Sequence, residues 1–368
     1  MRGILEESKI SSRQAVFLMI TTIFATVILS VPAITVKHAR QDAWISIGLA
    51  TAAGLLIARL VTTLGLRFPD RTIFEYPAEI LGSWPGKLVG FLYIMWFLHI
   101  NAGVIREYGE FLVTAFRPST PLIVFNLVAV GIAAYTVRNG LEVFSRANEI
   151  FFPLIMGLIV ITSILASRET DIHRLLPVAD AEAISIFKGA IVPLAWFGEI
   201  VAIGLVIPYL NKPRESHHAA VTAVLVSGVV FMLVVSNAIA IFGPDLIDAM
   251  VFPGLNKYRI VNVANFLGRL EALAMTAWVT AGFVKISIFY WAAVLGISQV
   301  LELKDYRPLV LPVGGVLMAL SILDHPSTIH LQHFVAQVFP FFALTFEAAI
   351  PLLLLIAALA RGKGEKLG

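Results

Sequence analysis

The chain has 368 residues, 58% of them apolar and only 14% charged, with a mean hydropathy of +0.87. Soluble domains carry roughly 25% charged residues, so this composition excludes an ordinary soluble enzyme, and a net charge of +3 gathered at the ends of apolar runs excludes a nucleic-acid binder. With no cysteine, disulfides, thiol catalysis and Cys-based metal sites are excluded as well.

The prediction is an all-α polytopic membrane protein, a single integral membrane domain over 1–368 with no cofactor and no enzymatic role. The charged, amphipathic start "MRGILEESKISSRQ" precedes an apolar run too long for a cleaved signal peptide, so the first span is expected to be retained. Ten transmembrane helices are predicted at about 12–35, 43–66, 86–115, 120–138, 144–167, 186–210, 217–242, 264–300, 307–323 and 334–360. At the span ends and in the links, fourteen Lys and Arg fall on the side of the termini and seven on the other, which places both termini in the cytoplasm. Interfacial helices are expected in "RFPDRTIFEYPAEILGSWPGK" and "LIDAMVFPGLNKYRIVNVAN".

In span 1, "FATVILSVPAIT" places Pro32 in the middle-to-outer part. Span 6, "AIVPLAWFGEIVAIGLVIPYL", carries Pro193, Gly198 and Pro208. Interrupted spans at matching places in two five-span halves, about 12–167 and 186–360, predict a 5+5 inverted repeat with broken spans 1 and 6 and a site at the midplane. The argument rests on position, since no residue-level repeat is visible.

A charge inside the bilayer needs a partner or a wet cavity. On span 3, His99, Gly103, Arg106 and Glu110 share a stripe with Glu107 beside it. It is either a self-neutralised pair near the outer surface or the lining of an outward vestibule. On span 5, Glu142, Arg146 and Glu149 share a face and read as an ion-pair brace, with Pro153 following. In span 6, Glu199 lies midway, next to Trp196, Phe197 and Gly198, with no cation in helical reach. It is the leading binding candidate, the alternative being a structural acid paired to another span. Span 8 opens "GRLEALAMTAW", where Arg269 and Glu271 point about 200° apart and start separate stripes. The Arg269 stripe runs through Thr276, Thr280 and Ser287, and the two threonines are expected at the ligand cavity. The Glu271 stripe runs through Trp278 and Lys285 and is expected to hold the helix against its neighbours. In span 10, Glu347 sits near mid-bilayer between Pro340 and Pro351 as a proton-coupling or structural charge. "GSWPGK" at 82–87 is one residue short of a phosphate loop and lacks its Ser/Thr. His325, His330 and His333 form an outer-loop cluster, for which metal binding by a membrane enzyme is the third and least favoured reading.

Several stretches together carry a family resemblance. They are "KISSRQAVFLMI", "TIFEYPAEILG", "RNGLEVFSRANEIFFP", "LLPV", "FLGRLEALAMTAW" and "AAIPLLLL", in that order over nearly the whole chain. The chain resembles the spore germination permeases, the B subunits of nutrient germinant receptors, in the amino acid–polyamine–organocation superfamily. The resemblance implies ten spans in a LeuT-like arrangement, A- and C-type receptor subunits and membrane lipids as partners, and location in the spore inner membrane or cell membrane. It further implies sensing of a small nutrient, an amino acid by preference, with a proton-coupled amino acid transporter as the alternative. By position it assigns ligand contact to Ala25, Thr26, Ser30, Trp196, Phe197, Gly198 and Glu199, with Thr276 and Thr280. The departure is that "FATVILSVP" has no glycine at the place where the family's first span breaks.

Overall fold

The structure, a computed structural model, describes residues 9–250, 252–254, 256 and 270–364. Among the described residues all regular structure is helical, apart from an isolated bridge between Ile10 and Leu210. A lipid interior offers backbone groups no water, so each span must satisfy its own N–H and C=O groups, which a helix does.

Ten helical segments follow one another: span 1 (Ser12–Ala39), span 2 (Ala43–Leu66), span 3 (Ser83–Ala115), span 4 (Leu122–Asn139) and span 5 (Leu141–Leu165), then span 6 (Ala183–Tyr209), span 7 (Ser216–Phe242), span 8 (Leu270–Val300), span 9 (Arg307–Leu323) and span 10 (Thr328–Ala360). Among the described residues eight apolar stretches are long enough to cross a membrane, the first running from late span 1 through span 2. Ser12–Val27 and Arg307–Leu323 are shorter apolar helices. In the first interfacial stretch a short helix forms at Tyr76–Leu81, and the second begins with one at Pro244–Asp248.

Span 1 starts at a capping box, in which Ser11 accepts from the Gln14 N–H and the Gln14 side chain accepts from the Ser11 N–H. The break expected in span 1 is not an interruption of the helix: it continues through Pro32 to Ala39. Without a glycine the chain has no residue that leaves the helical region cheaply. The Thr35 hydroxyl donates to the Val31 carbonyl, one turn back beside the proline. Span 6 does change character at the expected place. Its α-helix ends at Gly198, tightens to a 3-10 turn over Glu199–Ala202, resumes over Ile203–Val206 and tightens again over Ile207–Tyr209. The break is thus a change of winding, and the backbone is not unwound.

Spans 1 and 6 lie against each other at the centre, enclosed by spans 2 and 7 on one side and by spans 3, 8 and 10 on the other. Close approach is set by small residues. A Cβ on Gly54 of span 2 would lie 2.7 Å from Cβ of Phe197, so the two backbones meet only because Gly54 has none. The loop before span 6 is pinned by buried Asp42, whose two carboxylate oxygens accept from the N–H groups of Ala179 (2.8 Å) and Ala181 (2.9 Å).

On the side of the chain termini the bundle is closed. The Ile10 N–H donates to Tyr209 O at 2.9 Å, and the Asn211 N–H donates to Ile10 O at 3.0 Å. Arg13 pairs with Glu149 of span 5, to which Gln14 also donates at 3.0 Å. The brace expected within span 5 is therefore divided: Arg146 pairs with Glu142, while Glu149 serves span 1. Ser12 donates to Glu215 in the link after span 6. That bond, followed by the one from Lys212, holds the Glu215 carboxyl below its ordinary range.

Candidate functional site

The centre of the molecule is a three-span tie. Lys285 of span 8 is wholly buried, and its ammonium donates to both oxygens of Glu199 (2.8 and 2.7 Å) and to the Thr26 hydroxyl (2.9 Å). An ammonium has three protons, so these bonds use all of them. The ammonium also lies 5.7 Å from the Phe289 ring centroid, within cation–π range. Spans 1, 6 and 8 are joined at one point in this way, and the charge of Glu199 is neutralised there.

Above this tie, on the side away from the termini, a vestibule of about 850 Å³ opens between spans 1, 3, 6 and 10. Its floor meets a chamber of only about 30 Å³, bounded by Thr26, Trp196, Glu199 and Lys285. That is room for about two waters, not for a nutrient. Leu331 and Val335 of span 10 border both spaces, and so does Glu107 of span 3. The Glu107 carboxylate is half-buried and has no hydrogen-bond or ion-pair partner among the described residues. Across the vestibule stand Lys37 and His38 of span 1 and Lys188 of span 6, with both lysines within electrostatic reach of His38. The cavity therefore carries the acids Glu107 and Glu110 on span 3, bases on spans 1 and 6, and a further acid, Asp248, from the short helix after span 7.

The sequence candidates separate on this geometry. Thr26, Trp196, Glu199 and Lys285 come together at the inner chamber, and Ser30 lines the vestibule with its hydroxyl buried and unbonded. Ala25 is buried in packing, and Phe197 turns towards span 2 and the Phe231 ring, so neither reaches the cavity. Gly198 faces span 10, where its missing Cβ makes room for Glu347. Arg106 and Glu110 pair at 2.6 Å as their spacing predicts, and Thr328 donates to Glu110 at 2.6 Å.

The two stripes of span 8 exchange roles. Thr276 is exposed, Thr280 donates to the Thr276 carbonyl at 2.7 Å, and neither lines the vestibule or the chamber. Thr276 and Lys285 are nine residues apart, about 900° of helix rotation and hence half a turn, so they cannot face the same space. The site face of span 8 is the one carrying Trp278 and Lys285. Arg269 and the Glu271 side chain lie outside the described residues.

Glu107 is the residue that sequence reasoning set aside. It follows His99 and Gly103 at steps of four, and those three line the inner chamber together. The step of three to Arg106 concealed that register.

The histidines at the junction of spans 9 and 10 form a contact group with span 3. His325 and His330 bring their Nδ1 atoms to 3.3 Å, and His99 Nδ1 lies 3.2 Å from an Asp324 oxygen. Among the described residues no group of three or more His, Asp or Glu could hold a metal. In the loop between spans 9 and 10, burial, followed by the nearby His99, pushes the His325 pKa down to about 4 from 6.5. Between those values the unfolded chain binds the extra proton and the folded one does not. Stability from this group is then complete above pH 6.5 and declines as pH falls towards 4. Melting curves of the purified protein at pH 7.5 and 5.5 are expected to show a smaller acid-side loss in His325→Gln than in the unaltered chain. An equal loss in both assigns the acid sensitivity elsewhere.

With this geometry in view, comparison with known proteins is decisive. A family model described as "Spore germination protein" matches residues 9–329. The chain belongs to that family. Spore germination protein KB of Bacillus subtilis (strain 168) is 30% identical over 364 residues, 98% of this chain and 97% of the relative. Spore germination protein YndE of the same organism is 25% identical over 365 residues, 98% of this chain and 99% of the relative. Among solved structures, the substrate-bound outward-open state of a Na+-coupled sialic acid symporter matches with a TM-score of 0.65 at 13% identity. It covers 97% of this chain and 92% of that one. The family member described here thus has the LeuT-like fold of that symporter and is an integral membrane protein.

Proposed function

We propose that the chain is the nutrient-sensing B-type subunit of a germinant receptor. It binds a small zwitterion, an amino acid, on the vestibule floor. It works with A- and C-type receptor subunits in the spore inner membrane, with both termini in the cytoplasm and the vestibule facing outward. The observation that carries the reading is the Glu107 carboxylate, without a hydrogen-bond or ion-pair partner among the described residues, on the floor of a vestibule with basic residues on spans 1 and 6, beside a tie whose charges are already satisfied. Glu107 takes the ammonium of the ligand, and the opposite basic wall attracts its carboxylate. Glu199 then holds the spans in position and does not touch the ligand. A ligand that draws Leu331 and Val335 onto itself biases the bundle towards a closed state, because it binds that state more tightly.

Calorimetric titration of the purified protein in lipid nanodiscs with the proteinogenic amino acids tests this. A charge-assisted hydrogen bond contributes about 1.5–3 kcal/mol, so Glu107→Gln is expected to weaken the binding amino acid by roughly 10- to 100-fold. Equal affinity in the variant removes Glu107 from the site, and no binding across the panel removes amino acids as the ligand class. Transport is the alternative use of the same cavity. Counterflow of labelled amino acid in proteoliposomes separates the two readings, since a pure sensor gives none.

A further inference from the structure

Glu347 is the buried acid that the vestibule does not use. It is wholly buried in span 10, and neither carboxyl oxygen has a hydrogen-bond partner among the described residues. It sits in a π-helical turn, Thr345–Ala349, a distortion often found at functional positions because it turns one residue out of register. Its carboxyl is seated directly on the backbone of span 6, where a Cβ on Gly198 would fall 2.0 Å from Oε2. The next residue is Glu199, and both Glu199 and Lys285 act on Glu347 electrostatically. From span 3 the titratable group nearby is Tyr93, whose hydroxyl donates at 2.7 Å to the carbonyl of the neighbouring Phe346. Trp96 stacks on the Phe346 ring and closes the apolar wall.

The charge count decides the state of this group. Lys285 and Glu199 cancel, and all three ammonium protons are committed. An ionised Glu347 would be a second, uncompensated carboxylate in an apolar interior, without one hydrogen bond. A carboxyl in that position takes up a proton instead.

We propose that Glu347 is a proton-binding site that controls the Lys285–Glu199–Thr26 tie. With its proton, Glu347 is neutral and rests on Gly198, and Lys285 stays on Glu199. When the O–H bond of Glu347 breaks and the proton passes to water, the new carboxylate competes with Glu199 for the one ammonium. The tie between spans 1, 6 and 8 then loosens. One proton is released, no other bond to hydrogen changes owner, and the cluster gains one negative charge. The inference does not depend on which nutrient binds or on where it binds.

Infrared spectroscopy of the full-length protein in lipid at pH 7 tests it without any ligand. The unaltered chain is expected to show the carbonyl stretch of a protonated carboxylic acid, and Glu347→Gln to lack it. Because Gln mimics the neutral acid in size and charge, this variant is expected to melt within a few degrees of the unaltered chain. Its melting temperature is also expected to change less between pH 7 and pH 9. A protonated-acid band that survives in the variant, or a carboxylate band lost in its place, overturns the assignment. So does a melting temperature that rises with added sodium or potassium chloride in the unaltered chain and not in the variant, which would make the site one for a metal cation.

Discussion

Lys285→Met is expected to be the most damaging single side-chain change in the molecule. It leaves the Glu199 carboxylate buried with no cation and takes the donor from Thr26. Removing one partner of a buried ion pair costs about 3–5 kcal/mol, because the stranded charge keeps its full desolvation penalty. Pairing the change with Glu199→Gln removes that penalty, and the double variant is expected to recover most of the stability. Urea unfolding in mixed micelles, followed by tryptophan fluorescence, measures both. The double variant separates a charge effect from a packing effect. If it is as unstable as Lys285→Met alone, the lysine stem and not its ammonium is what holds the spans.

Gly198→Ala is the second large expectation. The new methyl would lie 2.0 Å from one Glu347 oxygen and 2.6 Å from its carboxyl carbon, so the Glu347 side chain must leave its seat or span 10 must retreat from span 6. Overpacking of this kind typically costs about 1–3 kcal/mol, and here the displaced group is a buried acid in an irregular turn. The loss is expected to shrink in a Glu347→Ala background, where the carboxyl is gone. A cycle of the two single variants and the double reads that coupling in the same unfolding experiment. Full additivity would mean that the two residues do not meet.

Much of the architecture was legible in the residues. Ten apolar runs and their flanking charges predict the ten helical segments, because a membrane interior forces each apolar run to be a helix. The winding change of span 6 was visible as Pro193, Gly198 and Pro208, and the Arg106–Glu110 pair as an i, i+4 spacing. Span 1 was read less well. A proline without a glycine beside it leaves the helix continuous, and the proline alone carried that expectation.

The site was half legible. Glu199 stood out as a charge without a local partner, and Lys285 as a charge on the stripe expected to hold span 8 against its neighbours, yet nothing in the linear order joins residues 86 positions apart. The same order made Thr276 and Thr280 attractive by their chemistry, although the helix turns them away from the cavity. By itself, then, the sequence determined that the chain is a ten-span helical membrane protein, where span 6 changes its winding, and which charges must be paired or neutral. Only the tertiary structure decided which helix faces meet. That selects Lys285 as the partner of Glu199, Glu107 as the acid at the vestibule floor with no partner among the described residues, and Glu347 as the acid left against Gly198. The physical reason is that helical periodicity reports which residues share a face. The rotation of each helix about its axis is set by packing against its neighbours, here by glycines that admit a side chain where any Cβ would block it.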